Sequence, residues 1–485
     1  MPDQSIDPRT GTPFGPILPE TTDAEFEAVL AAADAAFPPW SSMSRAARAR
    51  AITAAADALD AASDELVPLA DRESGLGLPR LTGELARTTF QLRTFAAELE
   101  AGDYLGVVID HVNSEPLPVG HPDLRRMLVP LGPVGVFGAS NFPFAFSVAG
   151  GDTASALAAG CTVVVKAHPG HPQLSDAVGR ILHDALVSAG APDGVFGLVR
   201  GFDAGKNLVT DPRIKAVGFT GSQGAGRALF DLAVSRPEPI PFYGELGSVN
   251  PVFVTRQAAS RPSLASDYLD SLLLGVGQFC TNPGVIVVPR DSDLADRIAA
   301  DIAERNGGPM LNQSVRDLYL RHVDELTSKP GVRVIATGAP ADPNGFAAGP
   351  TLAATTASEV FADPSIVTVE CFGPAGLVVT YDTDDEARAL ASVFPGSLVA
   401  CLHADDDEEL ALALLPILAA RTGRVVWNGW PTGVAVTKAQ QHGGPFPAAT
   451  TSMHTSVGAT AIRRFLRPVA FQSVPLALLP EELRD

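Results

Sequence analysis

Of the four cysteines in this 485-residue chain, Cys280 has the least strand-like surroundings. It lies in GQFCTN, after the apolar residues Leu272, Leu273, Leu274 and Val276 and the flexible Gly275 and Gly277. A free cysteine is ordinarily a small buried hydrophobe, but as a thiolate it attacks carbonyl carbon. Cys161, Cys371 and Cys401 sit in or beside β-type apolar runs and read as core thiols. Glu245, in FYGELGSVNP, follows an apolar run. A carboxylate in such surroundings is expected to titrate above its usual range, which suits a general base near neutral pH. Asn141, in GASNFPFAF, offers a side-chain N–H to an oxyanion, or simply holds a turn before Pro143. Lys166 ends the apolar stretch CTVVVKA, where open α/β sheets bind ligands, or leaves the sheet for solvent. Taken singly, none of these residues decides for chemistry over structure.

The glycine-rich stretch GFTGSQGAGRALF runs from a strand end into a helix start. Gly221, Ser222, Gly224 and Gly226 would let backbone approach a ligand, and the new helix's free N–H groups favour a phosphate. The spacing is not the usual dinucleotide fingerprint, and such turns also serve as tight connections.

These residues need a frame. AVLAAADAAF and ARAITAAADALDAASDEL have helical spacing and read as packing helices. From about residue 131 strands and helices alternate. GPVGVFGAS, CTVVVKA, GVFGLVRG and IKAVGFTG are strands, and DTASALAAG is a short helix capped by Asp152 or Thr153 and closed by Gly160. Leu174, Val178, Ile181, Leu182, Ala185 and Leu186 mark another helix. A second block follows residue 245, with PVFVTR, GVIVVPR, SLVACLHA and RVVWNG as strands. The alternation predicts α/β architecture with parallel βαβ units in a doubly wound sheet, followed by a second α/β domain of comparable size.

Composition narrows the function classes. Hydrophobic residues make up 46% and charged residues 19%, ordinary for a globular protein. The net charge of −20 argues against a nucleic-acid partner. No CxxC, HExxH or close His/Cys cluster offers metal-ligand spacing, so no metal is expected. Apolar runs fall short of the ~18 residues of a membrane span. The first ten residues lack a signal-peptide pattern, and the sparse cysteines suggest a reducing compartment. The expectation is a cytoplasmic enzyme with no membrane partner.

The ordered set SNFPFAF, VVKAHP, GFTGSQGAG, FYGELGSVNP, GQFCTNPG and ECFGPAG resembles the aldehyde dehydrogenase superfamily, from about residue 20 to the C-terminus. Within it the chain is similar to the branch of α-ketoglutaric semialdehyde (2,5-dioxopentanoate) dehydrogenases and NADP-dependent fatty aldehyde dehydrogenases. Branch markers include RPEPIPFYGELGSVNP and HGGPFPA. The resemblance implies a Rossmann-type cofactor domain, an α/β catalytic domain and a small β oligomerisation element. It implies that Cys280 attacks the aldehyde, with Asn141 and the Cys280 backbone N–H holding the oxyanion and Glu245 activating the water that releases the acid. Lys166, His168, Gly221, Ser222, Gly226, Leu246, Glu370 and Phe372 become the NADP or NAD contacts, with Lys166 also in the catalytic set.

The implied domains are 1–108 with 131–244 for the cofactor, 245–454 for catalysis, and 109–130 with 455–485 for assembly into a homodimer or homotetramer. Departures from the wider family matter. Ala139-Ser140 replaces a common Pro-Trp pair, and Pro169 stands where NAD-preferring members place a glutamate. Losing that carboxylate removes a barrier to NADP, with His168, His171 and the more distant Lys206 as the nearby polar groups. The implied reaction is NAD(P)-dependent oxidation of α-ketoglutaric semialdehyde, the alternative substrate being a long-chain or general aliphatic aldehyde. Transfer of the thioester to coenzyme A and a non-catalytic binding role are the other readings. A keto-acid substrate calls for a cation, and Arg290, Arg463, Arg464 and Arg467 are too distant in sequence from the motifs to judge.

Overall fold

A computed structural model of the protein describes residues 3–342 and 344–484. Its first sheet has five parallel strands, in spatial order Phe196–Val199, Val163–Lys166, Val134–Phe137, Ala216–Thr220 and Phe242–Glu245. Val134–Phe137 is central, and the chain builds outward first to one side and then to the other. The order therefore reverses beside the carboxyl end of Phe137, the crevice where such sheets place their ligands. All four residues of that strand, VGVF, are buried, as a central parallel strand requires.

The helix Gly151–Ala159 ends at Gly160 with φ 98°, as its sequence predicts. Its start differs from expectation, because Gly150 is the cap residue and no side chain caps the helix. Asp152 is instead drawn 2.7 Å from the Arg464 guanidinium.

The second sheet has seven strands, ordered Arg333–Thr337, Thr351–Thr356, Ala375–Tyr381, Val285–Pro289, Val252–Val254, Ser397–His403 and Thr422–Trp427. Only the pairing of Arg333–Thr337 with Thr351–Thr356 is antiparallel. Four of these strands are legible as apolar runs. TLAATT and RVIAT carry too little apolar alternation to stand out.

Two antiparallel elements lie outside these sheets. Asp3–Asp7 pairs with Thr12–Leu18 as an N-terminal hairpin, which its prolines and glycines conceal in the sequence. Leu124–Pro130 pairs with both Val108–Asp110 and Leu466–Gln472. Just before that last strand, Ala461, Ile462 and Phe465 pack into the core of the first sheet.

The helix Leu78–Ala101 lies along the crevice. Arg80, Glu84, Arg87 and Gln91 recur at helical spacing on one of its faces. They meet the segment 141–151 in order: Arg80 Nη2 donates to the Asn141 carbonyl at 2.6 Å, and Glu84 Oε1 accepts from the Phe144 and Ala145 backbone N–H groups. Arg87 lies over the Phe146 ring, and Gln91 borders Gly151.

Candidate active site

Cys280 follows a tight 3-10 turn, Leu274–Gly277, in which Gly275, Val276 and Gly277 all have positive φ. Gly277 is obligatory, since a Cβ there would stand 2.2 Å from the Gly373 carbonyl oxygen. Asn250 fixes the far side of the turn by donating to the Cys280 and Asn282 carbonyls at 2.8 and 2.9 Å. The result is a half-buried thiol on a rigid loop, whereas Cys161, Cys371 and Cys401 are buried. Burial pushes those three thiols up, Cys161 to about 11 and the other two to about 12. They are core thiols, as their sequence settings predict.

Asn141 sits on the other wall. Its Nδ2 donates to the Gln278 carbonyl at 3.0 Å, leaving a second hydrogen for a ligand. No acceptor takes the Cys280 backbone N–H among the described residues. The Arg80 guanidinium lies over both the Phe142 and Phe279 rings, at 5.0 and 4.8 Å from their centroids. One buried cation thus ties the Asn141 loop to the Cys280 loop, a role that sequence reasoning missed.

Glu245 ends the edge strand of the first sheet and is 4% exposed. Its Oε1 lies 2.9 Å from His442 Nε2. It is an ion pair only when His442 is protonated, and Oε1 has no aligned hydrogen-bond partner. Ser456 Oγ donates to Oε2. The same His442 Nε2 is 3.6 Å from Cys280 Sγ, so one imidazole touches both nucleophile and base. Sequence reasoning passed over His442; its only signal was its place in the HGGPFPA marker. Ligand atoms of Glu245, Cys280 and His442 lie within 4.8 Å of one another, a cluster no local spacing reveals.

The electrostatics correct one expectation. Burial alone would raise the Glu245 carboxyl, but a protonated His442, with the Ser456 hydroxyl and the nearby Cys280 thiol, outweighs it and holds the carboxyl below the usual range. Beside an imidazolium, Glu245 is an ionised carboxylate and not a poised neutral acid. Burial and the Glu245 charge push the Cys280 thiol well above its ordinary value.

The expected cofactor residues lie at a strand end, a helix start and the Glu370 loop. Lys166 ends its strand between the helix Phe202–Thr210 and the N-terminal segment, and burial lowers its titration despite the charges of Asp3 and Glu20. Ser222 caps the helix Gln223–Val234 by accepting from the Ala225 N–H. Gly221, Ser222 and Gly224 are exposed, so the helix N-terminus is open to an anion. Gly226 and Leu246 pack so closely that a Cβ on the glycine would stand 2.1 Å from the leucine methyl.

Glu370 lies over Gly247, where a Cβ would stand 2.1 Å from Oε2. Burial raises its carboxyl to about 7, with only the Ser248 backbone N–H opposing. Phe372, with φ 42°, turns the chain beside it. A buried carboxylate so short of donors suits a pair of sugar hydroxyls, and the open helix terminus suits a pyrophosphate. These residues fit a nicotinamide dinucleotide.

Two polar candidates fare differently. His171 is buried, with ring nitrogens 2.9 Å from the Ala139 carbonyl and 3.0 Å from Ser175 Oγ, so the fold consumes it. His168 stacks on His171, and burial with the nearby charges of His171 and Lys166 keeps it neutral. Neither brings a positive charge to a 2′-phosphate. Lys206 is half-exposed beside Asp203.

Comparisons with known proteins place this grouping of a thiol, a buried carboxylate and unused N–H donors in a family. A model of the aldehyde dehydrogenase family matches residues 3–446. The chain belongs to the aldehyde dehydrogenase family. It is 45% identical over 491 residues to α-ketoglutaric semialdehyde dehydrogenase 2 of Azospirillum brasilense, covering 99% of this chain and 93% of that one. It is 41% identical to α-ketoglutaric semialdehyde dehydrogenase of Acinetobacter baylyi, with the same coverage. Among solved structures, betaine aldehyde dehydrogenase of Staphylococcus aureus in complex with NAD+ superposes with a TM-score of 0.82 at 21% identity, covering 97% and 93% of the two chains. Aldehyde dehydrogenase C of Pseudomonas syringae, complexed with NAD+ and octanal, gives 0.80 at 22% identity, with the same coverage. At such identities the likeness concerns the fold.

Of the arginines named from sequence, Arg464 is committed to Asp152 and Ser155, and Arg290 to Asp382 on the surface. Arg463 and Arg467 are exposed. No helix among the described residues is long and apolar enough to cross a membrane.

Proposed function

We propose that this aldehyde dehydrogenase oxidises α-ketoglutaric semialdehyde to 2-oxoglutarate with NADP or NAD, through a Cys280 thioester resolved by water. One observation carries the chemistry: His442 Nε2 stands between the Cys280 thiol and the Glu245 carboxylate. The substrate rests on the two relatives at 45% and 41% identity, whose names carry that aldehyde.

With its Nε2 unprotonated, His442 takes the thiol proton as Cys280 sulfur bonds to the aldehyde carbon, and Glu245 stabilises the imidazolium that forms. The second Asn141 hydrogen and the Cys280 N–H receive the resulting oxyanion. Held by Ser222, Glu370 and Phe372, a nicotinamide dinucleotide would supply the acceptor for the hydride that leaves the former aldehyde carbon. Ionised Glu245 then removes a proton from water as it attacks the thioester, the carbon–sulfur bond breaks and the acid departs. A polar cleft lined by Tyr243, Glu245, His442, His454, Thr455 and Ser456 supports water reaching that carboxylate.

Lys166, Ser222 with Gly221 and Gly226, Leu246, Glu370 and Phe372 hold the dinucleotide in this reading, and His168 contributes as a neutral group. The domain division follows the two parallel sheets. The antiparallel sheet of Val108–Asp110, Leu124–Pro130 and Leu466–Gln472 serves assembly into a homodimer or homotetramer, supported by the exposed Val107, Val108, Val112, Leu117 and Val119 around it. Four free thiols support a reducing, cytoplasmic setting.

Initial rates of reduced-cofactor formation test the reading, using α-ketoglutaric semialdehyde and a series of straight-chain aldehydes with each cofactor. A kcat/KM highest for the keto-acid aldehyde is expected. A preference that climbs with alkyl length overturns the substrate assignment, and formation of acyl-coenzyme A in place of free acid overturns the hydrolytic step.

A further inference from the structure

The central charges of this site are negative. Glu245 and Glu370 both face Cys280 and both disfavour its thiolate. An anionic aldehyde entering here needs a cation to offset them, and two arginines have charges that reach Cys280. Arg424 is occupied, since Nη1 donates to the Gly433 carbonyl and Nη2 to the Pro431 carbonyl. Arg87 is not. Its Nε and Nη2 are buried without a hydrogen-bond partner. No carboxylate lies within ion-pair distance of it among the described residues; Glu84 on the same helix is the charge it feels most, but Oε1 accepts from the Phe144 and Ala145 backbone and Oε2 has no hydrogen-bond partner. A buried guanidinium edge left bare is costly unless something fills it.

The geometry names what would fill it. Nε–H and one Nη2–H form the side-on fork of a guanidinium, the edge that takes a carboxylate through two parallel hydrogen bonds. Arg87 lies 5.7 Å from the Phe146 ring centroid, and that ring lies 6.2 Å from the His442 imidazole. Phe146 is half-buried and packs on Phe142, whose ring meets Phe279 beside Cys280. The guanidinium thus stands one aromatic ring away from the nucleophile and base. α-Ketoglutaric semialdehyde carries its carboxylate at the opposite end of a short chain from its aldehyde.

We propose that Arg87 is the specificity-determining residue that receives the substrate carboxylate through its Nε and Nη2 edge, while Cys280 attacks the aldehyde end. This rests on the keto-acid reading above and names the cation that reading requires.

The test compares wild type, Arg87→Met and Arg87→Lys on two substrates of equal chain length, α-ketoglutaric semialdehyde and uncharged pentanal. Arg87→Met is expected to lower kcat/KM for the keto-acid aldehyde on the order of a hundredfold, chiefly through KM. Its kcat/KM with pentanal falls far less, by only what the lost charge near Cys280 costs both substrates alike, so the ratio between the two substrates drops, and circular dichroism checks that the variant folds. Arg87→Lys restores only part of the loss, because an ammonium keeps the charge and loses the fork. If both substrates fall together, Arg87 serves the thiol or the fold, and the proposal is overturned. If neither falls while wild type prefers the charged aldehyde, another group binds the carboxylate and this proposal alone fails. A wild type without that preference overturns the keto-acid reading first, and the proposal with it.

Discussion

His442 Nε2 lies 2.9 Å from Glu245 Oε1 and 3.6 Å from Cys280 Sγ, linking two residues that are 35 positions apart in the chain through a third that is 162 positions from the cysteine. A neutral imidazole there gives the thiol proton somewhere to go, and the imidazolium that results pulls the carboxyl down. His442→Asn removes the acceptor while keeping a polar side chain. We expect kcat/KM to fall on the order of a hundredfold. The rate should also recover toward alkaline pH, where hydroxide replaces the missing base for a thiol held high by burial and Glu245. A pH–rate profile of the variant checks both. An unchanged profile contradicts the role.

Asn141 has one hydrogen committed to the Gln278 carbonyl and one available. Asn141→Ala is expected to lower kcat about 10²–10³-fold, the usual cost of one lost oxyanion donor. Thiol reactivity toward a small alkylating agent with no carbonyl oxygen should stay near wild type. Loss of both would mean that the Cys280 loop has moved.

Glu73 concerns stability. Its buried carboxylate accepts from Ser5 Oγ and from the Gln173 and Leu174 N–H groups, joining the N-terminal hairpin to the helix Pro172–Ser188. Burial raises it to about 7 from an ordinary value of 4.5, the hydrogen bonds opposing only in part. The folded state therefore binds the proton more tightly than the unfolded chain. Stability from this group is complete below about pH 4.5 and declines as pH rises through about 7, by about 3 kcal/mol in all. Glu73→Gln mimics the protonated form and removes this dependence. Chemical denaturation across that range should show wild type losing stability relative to the variant as pH rises, and parallel curves would contradict it.

Much of the site was legible because the residues that act sit at element ends. Lys166 closes an unbroken β-branched strand, Ser222 caps a helix after a glycine turn, and Cys280 follows a helix in a glycine-broken loop. Local pattern marks such positions. What escaped depends on tertiary packing. Glu245 looked like a raised carboxyl because its flanks are apolar, and His442 reversed the direction from a segment nearly two hundred residues away. Arg80 and Arg87 sit on a helix whose polar stripe resembles a solvated face until the segment 141–151 is laid against it. Asp152 looked like a cap because its position suited one, and Arg464 claimed it.

The central claim is a thioester on Cys280 that Glu245 resolves. Glu245→Gln should still form that thioester and hydrolyse it slowly. We would mix this variant with NADP or NAD and α-ketoglutaric semialdehyde, follow the reduced cofactor, and quench for intact-protein and peptide mass spectrometry. The account predicts a burst of about one reduced cofactor per active site, a low steady state, and an acyl group on the Cys280 peptide that hydroxylamine removes. Full steady-state turnover without a burst, or an acyl group on any other residue, would contradict it.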